Sequence, residues 1–102
     1  MLIPHIYSAV ETVEKIRGGR RRIKLSDGSS FEVSRTKESI NFLRRNDVIL
    51  VDLRDWCGPL KVGHVFVFRQ KSDFVGLNRL TSFQITADSH LAAPGVCIPE
   101  TQ

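Results

Sequence analysis

The sequence predicts a mainly β protein, a five-stranded OB-fold barrel with a short helical insert and a C-terminal helix. Apolar and polar residues alternate over several short segments, which is the period of a half-buried strand. Two turn-forming pairs separate three of these segments at hairpin spacing. They are Gly18-Gly19 and Asp27-Gly28, and the second pair predicts a type I′ turn. We expect an OB-fold because that barrel has five strands, and an SH3-like barrel is the alternative.

The segment at the middle of the chain is the strongest strand signal. Residues 48–53, VILVDL, are rich in branched aliphatic side chains, which fit a pleated and buried surface. Val48 to Val51 contains no polar residue, so we expect both faces of this strand to be covered. Asn46-Asp47 precedes it and Cys57-Gly58-Pro59 follows it, and both are turn sequences.

The other strands follow from alternation and from the turns that bound them. Residues 8–17 are compatible with a helix or a strand, and the Gly18-Gly19 hairpin signal that follows favours a strand. Residues 61–69 carry bulky side chains on both faces, which indicates a central strand or a stacking surface. The predicted strands are residues 8–17, 20–26, 30–35, 48–53 and 61–69.

Two segments are predicted to be helical. Residues 36–43 form the insert, with Thr36 as a possible cap. In residues 72–83, Ser72 is a suitable N-cap, and apolar side chains recur every third residue at Phe74, Leu77 and Leu80. The predicted domain is therefore 1–86, with the barrel at 8–70 and the helix at 72–83. Residues 87–102 are predicted to be a C-terminal tail, either a loop or disordered.

The composition is that of a globular domain with a basic surface. The chain has 102 residues, a net charge of +4 and a pI of about 9.5, so polyanions are favoured partners. The N-terminus lacks the features of a signal peptide, and no stretch is long enough to cross a membrane. We expect a cytoplasmic protein, with the nucleus as the alternative. Cys57 and Cys97 are expected to be reduced thiols, with a disulfide as the alternative.

Arginines near the first hairpin are the main candidates for a binding site. Guanidinium groups bind phosphates in bidentate fashion, and the glycines let a ligand approach the backbone. Trp56 could stack on a base, whereas core packing is favoured over stacking for Phe66 and Phe68. The candidates from this reasoning are Arg17, Arg20, Arg21, Arg22, Lys24 and Trp56.

The segment Asn46 to Trp56, NDVILVDLRDW, resembles the pattern G-D-I-I-L-V-x-L-R-D-Y of eukaryotic and archaeal translation initiation factor 1A. The Gly19-Arg20 and Asp27-Gly28 pairs are similar in order and spacing to turns of that family. Bacterial initiation factor 1 is a weaker match. The resemblance implies an OB barrel that docks on the small ribosomal subunit through basic loops. When the family's basic loop before the fourth strand is aligned with this sequence, the resemblance implies that the loop carries Arg35, Lys37, Arg44 and Arg45.

No enzymatic, metal or cofactor site is predicted. The histidines and cysteines lack metal-ligand spacing, and no glycine-rich phosphate loop precedes a helix. We also expect neither a small-molecule substrate nor a membrane partner. The first hypothesis is a non-catalytic RNA-binding protein acting on the small ribosomal subunit or other structured RNA. The alternative is a small β-barrel that binds a protein partner through Leu2 to Tyr7, without nucleic-acid binding.

Overall fold

In a computed structural model, the described part of the chain, residues 5–34, 43–56, 58–70 and 77–93, forms a curled sheet of six antiparallel strands. The order across the sheet is β3-β2-β1-β4-β5-β6. Short 3-10 helices lie at Arg17–Gly19 and Ala87–Ser89. The strands are β1 (His5–Ile16), β2 (Arg20–Leu25), β3 (Ser30–Ser34), β4 (Val48–Asp52), β5 (Val62–Gln70) and β6 (Leu77–Thr86).

The sheet curls because β1 belongs to both of its halves. The N-terminal part of β1 pairs with β4, its C-terminal part pairs with β2, and a bulge between Val10 and Thr12 separates the two registers. Such a bulge bends a strand and increases its twist. The sheet edges β3 and β6 thereby meet: the rings of Phe31 and Phe83 lie 6.5 Å apart. After β6, Ala92 makes two 2.8 Å backbone hydrogen bonds with Ser30 of β3.

The core lies on the inner face of this half-barrel and consists of alternate residues from all six strands. The predicted central strand is confirmed as β4, which pairs with β1 and β5. The expectation that both faces of Val48 to Val51 are covered is wrong. Ile49 and Val51 are fully buried, whereas Val48 and Leu50 are only half-buried on the outer face.

The prediction of five strands and a C-terminal helix is wrong, because Leu77–Thr86 forms a sixth strand. The alternating residues Phe83 and Ile85 point into the core. A register shift opposite Val67 and Phe68 leaves Leu80 as an extra residue in β6. Leu80 therefore does not follow the period of two set by Phe83 and Ile85, and sequence reasoning took the three-residue spacing that includes Leu80 for a helix.

Some predicted features lie outside the described residues. The helical insert 36–43 does so except for Leu43, as do Cys57, Cys97 and residues 72–76 of the predicted helix. Residues 87–93 of the predicted tail lie against the barrel, and the rest of the tail is outside the described ranges. Among the described residues, no helix is long and apolar enough to span a bilayer.

Candidate nucleic-acid interface

The densest group of cations lies on the β1–β2 hairpin. Its turn is a 3-10 helix in which Gly18 and Gly19 have positive φ values of 80° and 73°, a conformation that favours glycine. Sequence reasoning missed one member of this group, Lys15, which the strand register places directly opposite Arg21. We call these side chains the basic hairpin: Lys15, Arg17, Arg20, Arg21, Arg22 and Lys24.

Three predicted site residues of the basic hairpin form ion pairs on the outer face. Arg20 Nε lies 3.4 Å from Glu32 Oε1, and Arg22 Nη2 donates to Glu32 Oε2 at 3.1 Å. Lys24 Nζ lies 3.2 Å from Glu14 Oε1. Glu32 is the more buried partner, with 14% of its side chain exposed, whereas Lys24 and Glu14 are 47% and 40% exposed. The exposed Lys24–Glu14 pair contributes little to stability, so a phosphate can compete for Lys24. Two arginines also share the one Glu32 carboxylate, which leaves a surplus positive charge.

The other three cations have no carboxylate within ion-pair distance in the part of the chain that the structure describes. Lys15 and Arg21 lie side by side at the open end of the sheet, next to the Val13–Ile23 pair where the core begins. Arg17 is exposed in the turn. Like charges directly opposite each other on neighbouring strands are unfavourable, and a bound anion relieves that repulsion.

Arg20 also links the basic hairpin to the chain that follows β6. Its Nη2 donates to the backbone oxygen of Asp88 at 2.9 Å. A small polar cavity of about 200 Å³ lies here, between β3 and the end of β6. The Thr86 hydroxyl donates to the Asp88 carboxylate and holds the pKa of that carboxyl below its usual range. Arg20 therefore has a structural role as well as a place in the candidate interface.

The second basic group is only partly described. Arg35 and Lys37 lie outside the described residues. Arg44 and Arg45 are exposed in the turn before β4. The nearby Asp47 is buried and binds Arg69 and the backbone N–H of Arg44, so its carboxylate is already engaged. The side chains of Arg44 and Arg45 remain accessible to a ligand.

Trp56 is placed in the core. Only 8% of its surface is exposed, and its backbone N–H donates to Leu53 O at 3.0 Å. Neither face of its ring is open to a stacked base in this arrangement. The indole is instead a natural reporter of folding, since the chain has a single tryptophan.

Among the described residues, the aromatic side chains that face outward lie on the other half of the sheet. Tyr7 on β1, Leu50 on β4 and Phe66 on β5 are consecutive cross-strand neighbours on the outer face. Tyr7 is 58% exposed, and the other two are half-buried. A groove of about 390 Å³ lies here, and we call it the outer groove; it is lined by His5, Leu50, Asp52, Arg54 and Phe66.

The polar end of the outer groove is an ion pair between Asp52 and Arg54. The guanidinium donates from Nη2 to Oδ2 at 2.6 Å and from Nε to Oδ1 at 3.0 Å. The backbone N–H of Arg54 also donates to Oδ1 at 3.0 Å. These bonds hold the pKa of the Asp52 carboxyl below its ordinary value, with a smaller contribution from the charge of His64.

This pKa shift predicts a contribution to the pH dependence of stability. Because the folded-state pKa of Asp52 is depressed, its stabilising contribution is present above the unfolded-state pKa and is lost as pH falls through the folded-state pKa. We expect Asp52→Asn to be less stable than the wild type at pH 7. The difference should shrink as the pH drops from about 5 to about 2. Urea unfolding of both proteins across this range checks the prediction, and a constant difference would contradict it.

Within the described ranges, no group of three or more histidine, cysteine, aspartate and glutamate side chains is arranged to hold a metal ion. Comparison of the chain with models of protein families, with curated proteins and with solved structures gave no significant match. The resemblance to initiation factor 1A therefore stays a prediction. A functional assignment has to come from the geometry of the basic hairpin and the outer groove.

Proposed function

We propose that this protein binds RNA without catalysis, as an OB-type barrel that docks on the small ribosomal subunit or other structured RNA. The observation that carries the proposal is the basic hairpin, in particular Lys15, Arg17 and Arg21. These cations lie close together without a carboxylate partner among the described residues. Arginine and lysine groups concentrated in this way neutralise phosphates and release their counterions.

The shape of the sheet supports the OB-type assignment. A strand lies at each of the five predicted positions along the chain, and β1 is shared between the β2–β3 half and the β4–β5 half of the sheet. A partly open barrel of this kind presents strand faces and loops to an oligonucleotide. In this proposal β6 is an addition to the five-stranded unit, and the residues after it cover the edge of β3.

A filter-binding assay with ribosomal subunits or a structured RNA tests the proposal. We expect the Lys15/Arg17/Arg21→Ala variant to bind about 10- to 100-fold more weakly than the wild type at low salt. The slope of log affinity against log salt should fall by about 2 to 3, because roughly one counterion is released per lost contact. The control is Lys61→Ala, which removes one positive charge at a position outside the basic hairpin.

Equal RNA retention by wild type and triple variant, or a flat salt dependence of the wild type, would overturn the electrostatic mechanism.

The exposure of Tyr7 keeps the protein-partner alternative open. Deleting residues 2–7 is a poor test of it, since Ile6 is a core residue and residues 5–7 pair with β4. Tyr7→Ser is the cleaner variant: loss of a protein partner, in a protein whose wild type does not bind RNA, would favour the alternative.

A further inference from the structure

We propose that the outer groove and the neighbouring ring of Tyr7 bind unpaired bases of single-stranded RNA, with Phe66 and Tyr7 as stacking surfaces on either side of Leu50 and Arg54 at the edge of a base. The inference rests on the proposed function and deepens it. The basic hairpin explains affinity for any RNA backbone, whereas the outer groove would select RNA whose bases are not already paired.

The arrangement of the aromatic rings supports stacking. Tyr7, Leu50 and Phe66 are directly opposite one another on three adjacent strands, with side chains on the same face. Opposed residues on antiparallel strands have Cβ atoms about 5 Å apart, so the three side chains form a continuous apolar floor. The core on the inner face does not include Tyr7 or Phe66. Tyr7 is 58% exposed and Phe66 is half-buried, so part of each ring is available to a base, whose own π-face stacks on aromatic side chains.

The Asp52–Arg54 pair gives the outer groove a polar edge with fixed geometry. Arg54 is 79% exposed, yet Asp52 holds it through both Nε and Nη2. The guanidinium plane is therefore oriented before a ligand arrives, and further N–H groups remain to donate. Arginine in this orientation bonds to acceptors on the edge of a base or stacks on its ring.

The volume of the outer groove and the positive charge of the protein favour a base of RNA over a protein segment as the ligand. A volume of about 390 Å³ is near the lower end of small-molecule pockets, which suits a flat ring system. On β6, the exposed Arg79 lies opposite Phe68 on the same outer face, where it can contact a flanking phosphate. The chain as a whole carries a net charge of +4, which complements a polyanion.

The test uses the whole protein with a 12-nucleotide single-stranded RNA and the duplex of that RNA with its complement. Fluorescence anisotropy gives both affinities. We expect Tyr7→Leu/Phe66→Leu to bind the single strand about 10- to 100-fold more weakly than the wild type and the duplex equally well. Leucine keeps the surface apolar and removes the rings. The control is Leu60→Ala, since Leu60 is 70% exposed and does not line the outer groove.

Each outcome separates the two proposals. The Lys15/Arg17/Arg21→Ala variant should weaken binding of both RNAs, because it acts on phosphates. If the double variant binds the single strand as tightly as the wild type, the outer groove is not a base site and the basic hairpin stands alone. If the wild type binds neither RNA, both proposals fail. A wild-type dimer that dissociates in the double variant would assign the outer groove to a second copy of the chain.

Discussion

Replacing Asp47 with alanine is expected to lower the free energy of unfolding by about 2 to 4 kcal/mol. The Asp47 side chain is only 3% exposed and accepts hydrogen bonds from Arg69 Nε at 2.8 Å and Arg69 Nη2 at 2.9 Å. It also accepts one from the backbone N–H of Arg44 at 2.9 Å. These bonds raise the pKa of Arg69 above its ordinary value. Alanine removes all three bonds, together with the buried negative charge that faces the Arg69 guanidinium.

The position of Asp47 explains why this loss is expected to be large. Its backbone oxygen accepts a hydrogen bond from Val10 N at 2.7 Å, and Asn46 N donates to Val10 O at 2.9 Å. Asn46 itself has a positive φ of 76°, so the turn is tightly defined. The Asp47 carboxylate joins the turn before β4 to Arg69 near the end of β5, and its removal loosens this link, whereas the backbone bonds to Val10 remain.

Urea unfolding followed by Trp56 fluorescence measures the effect, since Trp56 lies in the core. The control is Asp55→Ala at an exposed carboxylate, expected to change stability by less than about 0.5 kcal/mol. The Asp47→Ala/Arg69→Met double variant should lose less free energy of unfolding than the two single variants lose in sum, because both charged groups are removed together. An Asp47→Ala protein as stable as the Asp55→Ala control would contradict this account.

The strands were predictable where the inner and outer faces of the sheet differ in polarity. In β2, Ile23 and Leu25 point inward while Arg22 and Lys24 point outward, as the alternation indicated. The Asp27-Gly28 turn was found at the predicted place but is not type I′. In this turn Gly28 has a positive φ and Asp27 does not, and backbone bonds from Gly28 N to Leu25 O and from Leu25 N to Ser29 O close a three-residue loop.

The missed sixth strand has a local cause. A single extra residue, Leu80, shifts the alternation of β6 by one, so its apolar positions no longer follow a period of two. Sequence reasoning has no direct signal for a bulge, because the residue that becomes unpaired is determined by the neighbouring strand. The same segment also begins after Ser72, whose capping chemistry is typical of a helix.

The candidate site was predictable in composition and not in arrangement. The arginines of the first hairpin were singled out from the chain itself. Which cations of the basic hairpin have a carboxylate partner depends on the strand register. The register places Glu32 opposite Arg22, and it places Lys15 opposite Arg21, another cation. The outer groove likewise requires three strands that are distant in sequence to be adjacent. Its one sequence signal was the alternation of His64, Phe66 and Phe68 on the outer face of β5.

The two faces of the sheet should respond very differently to the loss of a phenylalanine. Phe31→Ala is expected to lower the free energy of unfolding by about 3 to 5 kcal/mol. Phe31 is fully buried, and its ring lies 6.5 Å from that of Phe83. Since these residues come from β3 and β6, the two edge strands, the cavity left by alanine would open where the curled sheet meets itself.

Phe68→Ala on the outer face is the matched control, because Phe68 is the same residue type in a half-buried position. We expect Phe68→Ala to lower the free energy of unfolding by less than about 2 kcal/mol, since part of that ring is already in contact with water. Urea unfolding of both variants measures the difference, and Phe31→Leu provides a milder variant in case Phe31→Ala does not fold. If the outer and inner substitutions cost the same, the outer rings would be part of the folding core. Tyr7 and Phe66 would then no longer be free to serve a ligand.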